Sequence, residues 1–322
     1  MRRSWLISVV FLIAASLPAT AQEKATLRLN WLIYGFHTPF QLGIERGYYK
    51  AEGIDLEVGD GKGSASTVQV VGAKGDTFGL SDGASIINGI TKGAPIKAVM
   101  GIMNTTPFAV IAREDSGIKT FKDLEGKTIA ATAGEAGLTI MPALIKANKL
   151  DDSKLSFLRI DGAAKLISVI EKRADALLGG SENQAIILEQ KGVKTVVFNY
   201  ADYGVNTMGL AIHVNTDTLK DKPKLVEGFI RATQKAYAEA EKDPAAAIAA
   251  GMKLKPDMDK ELALAQLVAG LKLVRSRAAP SAPIGQMAPS DWEMTLNLMK
   301  EYQELKTDMK ADAFYTNDLL PK

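Results

Sequence analysis

The sequence predicts an α/β protein of two lobes followed by a C-terminal helical segment. Three observations carry that expectation. Short apolar strands alternate with helical stretches over residues 25–102. The same rhythm restarts over 108–214, and beyond Thr216 only long helical patterns remain. A βαβαβ order implies a parallel sheet with helices on its faces.

The elements follow in order. Residues 25–31 (ATLRLNW) alternate apolar and polar, as a strand does. Residues 39–48 read as a helix, with Pro39 in its first turn and Gly47 near its end. Strand 54–58 leads to helix 64–73, opened by Ser64 as an N-cap. Strand 77–80 ends at Ser81-Asp82, helix 84–91 closes at Gly93, and 96–102 is a strand. The second round opens with strand 108–112 and a helical turn at 120–127. Strands 128–131, 155–160, 176–178 and 194–198 then alternate with helices 138–148, 163–173 and 183–191, and strand 209–214 closes the half. Helices 223–241, 244–252, 258–274 and 291–302 form the tail, and 275–289, with three prolines, reads as a loop. The expected divisions are 22–107 for the first part of lobe 1, 108–208 for lobe 2, and 209–322 for the return to lobe 1 with the C-terminal helices. Crossover strands fall near Phe108 and Leu210, and the cleft between the lobes is the default ligand site.

Residues 1–21 read as an export signal. Arg2 and Arg3 give a basic start, 5–17 is a short apolar run, and Ala19 and Ala21 stand at −3 and −1 before Gln22. The run is shorter than the roughly 20 residues a membrane span needs. The expected location of the mature chain is the periplasm.

Composition then removes several classes. The chain of 322 residues is 47% hydrophobic and 24% charged, a globular balance. Its formal charge of +2 comes from Arg2 and Arg3, so from Gln22 onward acid and base balance. That gives no electrostatic reason to bind nucleic acid. With no Cys and two His, thiolate metal sites, disulfides, Cys nucleophiles and His-rich zinc cages are excluded. No cofactor and no metal are expected. Gly59-Asp60-Gly61-Lys62-Gly63-Ser64 lacks phosphate-loop spacing, and Gly180-Ser181-Glu182 lacks the nucleophile-elbow pattern.

Several stretches carry a resemblance: Asn30-Trp31 with His37-Thr38-Pro39, ERGYYKAEGIDLE at 45–57, GAPIK at 93–97, DLEGK at 123–127 and YTNDLLP at 315–321. With them the chain resembles periplasmic solute-binding proteins of ABC importers, of the group with thiamine-pyrimidine-precursor, riboflavin, sulfonate and taurine receptors. The resemblance implies a type II periplasmic fold that closes like a hinge on one small molecule. It also implies an importer permease as partner, a monomer and no catalysis. Relatives of this fold that make a pyrimidine phosphate carry a Cys-rich motif plus a substrate-derived His chemistry; this chain keeps His37 but has no Cys. A signalling sensor domain is a third possibility, with a different partner.

Ligands in such lobes meet strand ends and helix starts. Trp31 and Tyr34 offer aromatic faces, and His37 a ring nitrogen; pyrimidine-binding relatives carry a Trp and a His at similar positions. Ser81 and Asp82 end a strand, with helix capping as the plainer role. Asn104 and Thr105 sit before the first crossover and Asn206 before the second. Gly134, Glu135 and Thr139 lie in the 132–139 loop, which relatives use for ligand contact. Glu135 either fills the anion site itself or faces a cationic ligand. Glu182 stands in the same situation after the next strand. These loops hold Asp82, Glu135 and Glu182 and no Arg or Lys. The expected ligand is therefore a flat N-heterocycle or amine, such as a thiamine-pyrimidine precursor. A sulfonate or aromatic carboxylate held by helix N-termini is the alternative.

Overall fold

The computed structural model describes residues 22–321, so the expected export signal lies outside the described residues. Strand β1 (Glu23–Arg28) leads through helices α1 (Thr38–Glu45) and α2 (Tyr48–Ala51) to β2 (Ile54–Gly59). Helix α3 (Ser64–Gly72), strand β3 (Phe78–Asp82), helix α4 (Gly83–Thr91) and strand β4 (Ile96–Met103) complete the first round. The second comprises β5 (Phe108–Arg113), β6 (Thr128–Ala131), α5 (Ala136–Ala147), β7 (Ser156–Arg159), α6 (Gly162–Ile170), β8 (Ala176–Gly180), α7 (Gln184–Gln190) and β9 (Thr195–Asn199). Strand β10 (Leu210–Asn215) then precedes α8 (Thr216–Asp221), α9 (Pro223–Lys242), α10 (Pro244–Leu254), α11 (Lys260–Leu271) and α12 (Pro289–Tyr302).

Two five-stranded sheets result, in the orders β2-β1-β3-β10-β4 and β7-β6-β8-β5-β9. The pairs β1–β2, β1–β3, β6–β7 and β6–β8 are parallel. Strands β10 and β5 run antiparallel to both of their neighbours, which corrects the expectation of purely parallel sheets. The reason is the path of the chain. A parallel neighbour needs a crossover within one sheet, whereas β5 and β10 are each entered by chain that has just left the other sheet.

Local chemistry sets the element ends. Asp82, Asp161, Asp243 and Asp259 accept backbone N–H groups at the starts of α4, α6, α10 and α11. Proline occupies the first turn of α1, α9, α10 and α12, where its missing N–H costs nothing. The first turn of α3 differs from expectation: Gly63 holds the cap position, and the Ser64 hydroxyl instead accepts the Asp82 N–H. The short helices α2 and α8 were not foreseen.

One core packs the first sheet against α9, α10 and α11, through Phe229, Tyr237, Ile248 and Leu267. A second joins Ile87 of α4, Val110 of β5, Leu144 of α5 and Trp292 of α12, so it runs through both halves. Trp292 stacks on Tyr315, whose segment bridges to Ala98 of β4. Among the described residues no helix is long and apolar enough to cross a membrane.

Candidate functional site

The chain bends sharply after β1, and the Asn30 and Trp31 carbonyls accept the N–H groups of Gly63 and Gly61. Trp31 is thereby turned out of the strand that was expected to contain it. Gly63 has a φ of 112°, and a Cβ there would lie 2.6 Å from the Gly134 carbonyl oxygen. Only glycine lets the two halves approach this closely.

A cavity of about 50 Å3 lies between the sheets. Asn30, Trp31, Tyr34 and Ser64 from the first half and Glu135, Glu182, Asn183 and Gln184 from the second are among the residues around it. Tyr34 and Glu182 meet across it. The buried Tyr34 hydroxyl donates to Glu182 Oε1 at 2.8 Å, while Glu182 Oε2 is buried with no partner. The carboxyl folds over the bare Cα of Gly180, where a Cβ would lie 2.3 Å from Oε2. Burial pushes the Glu182 carboxyl up to about 7, and the Tyr34 hydrogen bond pulls back.

Glu135 precedes α5. One of its oxygens accepts the Thr132 N–H at 2.8 Å and the other the Lys165 ammonium. Lys165 lies on α6, fully buried, with its ammonium 5.0 Å from the centroid of the Trp31 ring. Burial pushes the Glu135 carboxyl up and the Lys165 ammonium down, and each charge offsets the other's loss of water. The Trp31 indole rests on the start of α6, where a Cβ on Gly162 would meet it at 2.5 Å. The strand-end loops themselves hold no basic residue, as counted; the cation beside them comes from the first turn of α6.

His37 stands behind the cavity. Its Nε2 donates to Asn30 Oδ1 at 3.2 Å, its ring lies edge-on to Tyr34, and burial holds its pKa near 3, so it is neutral. It positions two lining residues and does not itself line the cavity. Ser81 donates to the Ser64 carbonyl and lies 3.0 Å from His213 Nε2, while Asp82 caps α4. Asn104 donates to the Val274 carbonyl at 2.7 Å and Thr105 reaches Arg275, so both tie β4 to the segment after α11. Thr139 bonds back to the Glu135 carbonyl within α5. Gly134 faces Gly63, and Asn206 keeps a buried, unpartnered Oδ1 away from the cavity. Of the expected site residues, the structure brings Trp31, Tyr34, Glu135 and Glu182 together around the cavity.

Among the lining residues not expected, four have polar side chains: Asn30 precedes Trp31, Ser64 opens α3, and Asn183 and Gln184 directly follow Glu182. Asn183 Oδ1 accepts Gln266 Nε2 at 2.8 Å, and Gln266 Oε1 accepts the Gly35 N–H, so α11 links the second half to the first. Gln184 Oε1 accepts the Gly180 N–H. A strand-end rule points to this loop, but not to which of its amides turns inward. Among the described residues no His, Asp and Glu group could hold a metal ion.

Known proteins resemble the chain over nearly its full length. A Legionella pneumophila protein named 4-amino-5-hydroxymethyl-2-methylpyrimidine phosphate synthase is 24% identical over 307 residues, 94% of either chain. The riboflavin-binding protein RibY of Chloroflexus aurantiacus is 24% identical, covering 93% of this chain and 86% of its own. The formylaminopyrimidine-binding protein of Halalkalibacterium halodurans is 22% identical, covering 97% and 96%. Among solved structures, the alkanesulfonate-binding protein SsuA of Xanthomonas axonopodis pv. citri superposes with a TM-score of 0.71 at 13% identity, over 92% of this chain and 99% of that one. The periplasmic nitrate-binding protein NrtA of Synechocystis PCC 6803 gives 0.68 at 13%, over 92% and 87%. The two sheets with their exchanged strands are the generic fold of periplasmic binding proteins. The family model described as NMT1/THI5 like matches residues 35–247, about two thirds of the chain, and the chain belongs to that family.

Proposed function

We propose that the chain is the solute-binding component of an ABC importer, exported to the periplasm, and that it captures a small nitrogen heterocycle of the aminopyrimidine type between its two sheets. Glu182 carries this reading. One of its oxygens is held by Tyr34, the other is buried without a partner, and the residue stands at the wall of a cavity that Trp31 flanks. Ionised, the free oxygen accepts from an amino group; protonated, it donates to a ring nitrogen. A pKa near 7 makes both forms accessible at neutral pH. The indole offers an apolar face to a flat ring. Relatives named for formylaminopyrimidine and riboflavin support the heterocycle class.

Binding without turnover is favoured over synthesis, although several relatives are named as pyrimidine phosphate synthases. The chain has no Cys, and His37 is packed behind Asn30 and Tyr34. Lys165 is the one observation that favours an anionic solute instead, but Glu135 already neutralises it. Calorimetry tests the choice, with aminopyrimidines, riboflavin, alkanesulfonates and nitrate titrated into the mature protein. One-to-one binding of an aminopyrimidine is expected. Binding of a sulfonate or nitrate, with no heat from the heterocycles, contradicts it.

A further inference from the structure

Two amides stand beside Glu182 on the wall of the cavity, and the sense of each is fixed. Asn183 and Gln184 are both buried, and both line the cavity. Which end of each amide is spent follows from partners that can only donate. The Gly180 N–H donates to Gln184 Oε1 at 2.7 Å, so that oxygen is taken and the Gln184 NH2 is left over. The side chain folds back over the end of β8, where a Cβ on Gly179 would lie 2.9 Å from Oε1. Gly179 and Gly180 line the cavity as well.

Asn183 is fixed at one remove, by Gln266 of α11, which is buried and does not line the cavity. The chain at Gly35 lies directly on α11, since a Cβ there would be 1.9 Å from the Ala263 carbonyl oxygen. The Gly35 N–H donates to Gln266 Oε1 at 3.1 Å, which makes Gln266 Nε2 the donor on the other side. Asn183 Oδ1 accepts from it at 2.8 Å. The Asn183 oxygen is therefore spent too, and its NH2 remains. Among the described residues no protein group accepts from either NH2. Two donors on a buried wall need acceptors from whatever fills the cavity.

We propose that Asn183 and Gln184 form a pair of fixed donors that select the solute by two ring nitrogens, and that Gln266 is the positioning residue holding Asn183 in the donor sense. This rests on the aminopyrimidine reading and deepens it: such a ring brings two ring nitrogens for the amides and an amino group for Glu182.

The test is calorimetry at pH 8 on the mature protein with 4-amino-5-hydroxymethyl-2-methylpyrimidine and with 2-amino-4-methylbenzyl alcohol. The second compound keeps every substituent and lacks both ring nitrogens. Wild type is expected to prefer the pyrimidine roughly a hundredfold, about tenfold for each acceptor. Gln266→Glu still accepts the Gly35 N–H but cannot donate, so the Asn183 amide turns over and presents its oxygen. The preference should then fall roughly tenfold. Gln266→Met, which leaves the amide free to turn, should also lower it. A preference near one in wild type overturns the proposal. So does equal weakening of both compounds in the variants, which is what a merely structural Gln266 gives. Melting temperature confirms that each variant is folded. If neither compound binds wild type, the aminopyrimidine reading fails, and amide-proton exchange by NMR on the wild-type protein judges the positioning claim alone. Slow exchange at the Gln266 NH2 with fast exchange at those of Asn183 and Gln184 keeps it; a slowly exchanging Asn183 NH2 overturns it.

Discussion

The Tyr34 hydroxyl donates to Glu182 Oε1 at 2.8 Å, joining the loop after β1 of one sheet to the loop after β8 of the other. Both groups are buried, so this is a polar contact made where water is excluded and the two halves meet.

Tyr34→Phe removes the donor and leaves the carboxyl alone. Urea denaturation should show a loss of about 1–3 kcal/mol. The loss should be larger at pH 8 than at pH 5, because an ionised carboxylate needs the donor more.

Glu182→Gln should change how stability depends on pH. Burial pushes the carboxyl up to about 7, from an ordinary value of 4.5. Between those values the folded chain holds a proton that the unfolded chain has lost, so stability falls as pH rises, by about 3 kcal/mol in all. His37 and His213, with pKa values lowered to about 3 by burial, act in the opposite sense and add stability as pH rises toward 6.5. The difference between variant and wild type isolates Glu182. The glutamine variant should gain stability at pH 8 and none at pH 4, which chemical denaturation at the two pH values measures.

Trp31→Ala should weaken an aromatic solute by about 1–3 kcal/mol while the protein stays folded. Gly162→Ala should do much the same from the opposite wall, because its Cβ would lie 2.5 Å from the indole and must displace it. Calorimetry on both variants, beside a melting curve, measures the effect.

Lys165 and Glu135 call for a double-mutant cycle. Lys165→Met alone strands a buried carboxylate and should cost about 3–5 kcal/mol. Adding Glu135→Gln should restore most of it, since no unpaired charge then remains. Stability curves for the two single variants and the double variant give the coupling.

Much of the fold was legible because periodicity records burial. The strands at Phe108 and Leu210 were visible as apolar runs, and Pro223 and Pro244 marked helix starts, whereas Pro289, read as the end of a loop, opens α12. Their antiparallel sense was not visible, because it depends on which sheet the chain has just left. In the cleft, Trp31, Tyr34, Glu135 and Glu182 followed from the strand-end rule. Lys165 did not, because a lysine inside a helix reads as a solvated side chain, and its burial needs Glu135 and Trp31 from distant sequence. His37 looked like a contact, yet its ring packs behind Tyr34, and sequence spacing does not separate a lining residue from its support.

The most direct test of the account is mass spectrometry of what the protein carries when purified from the periplasm. The account predicts that denaturation releases one unmodified nitrogen heterocycle per chain, that the chain mass is unchanged, and that the solute is depleted in Glu182→Gln and Trp31→Ala. Release of a sulfonate or other anion, or a chain of altered mass, would contradict it.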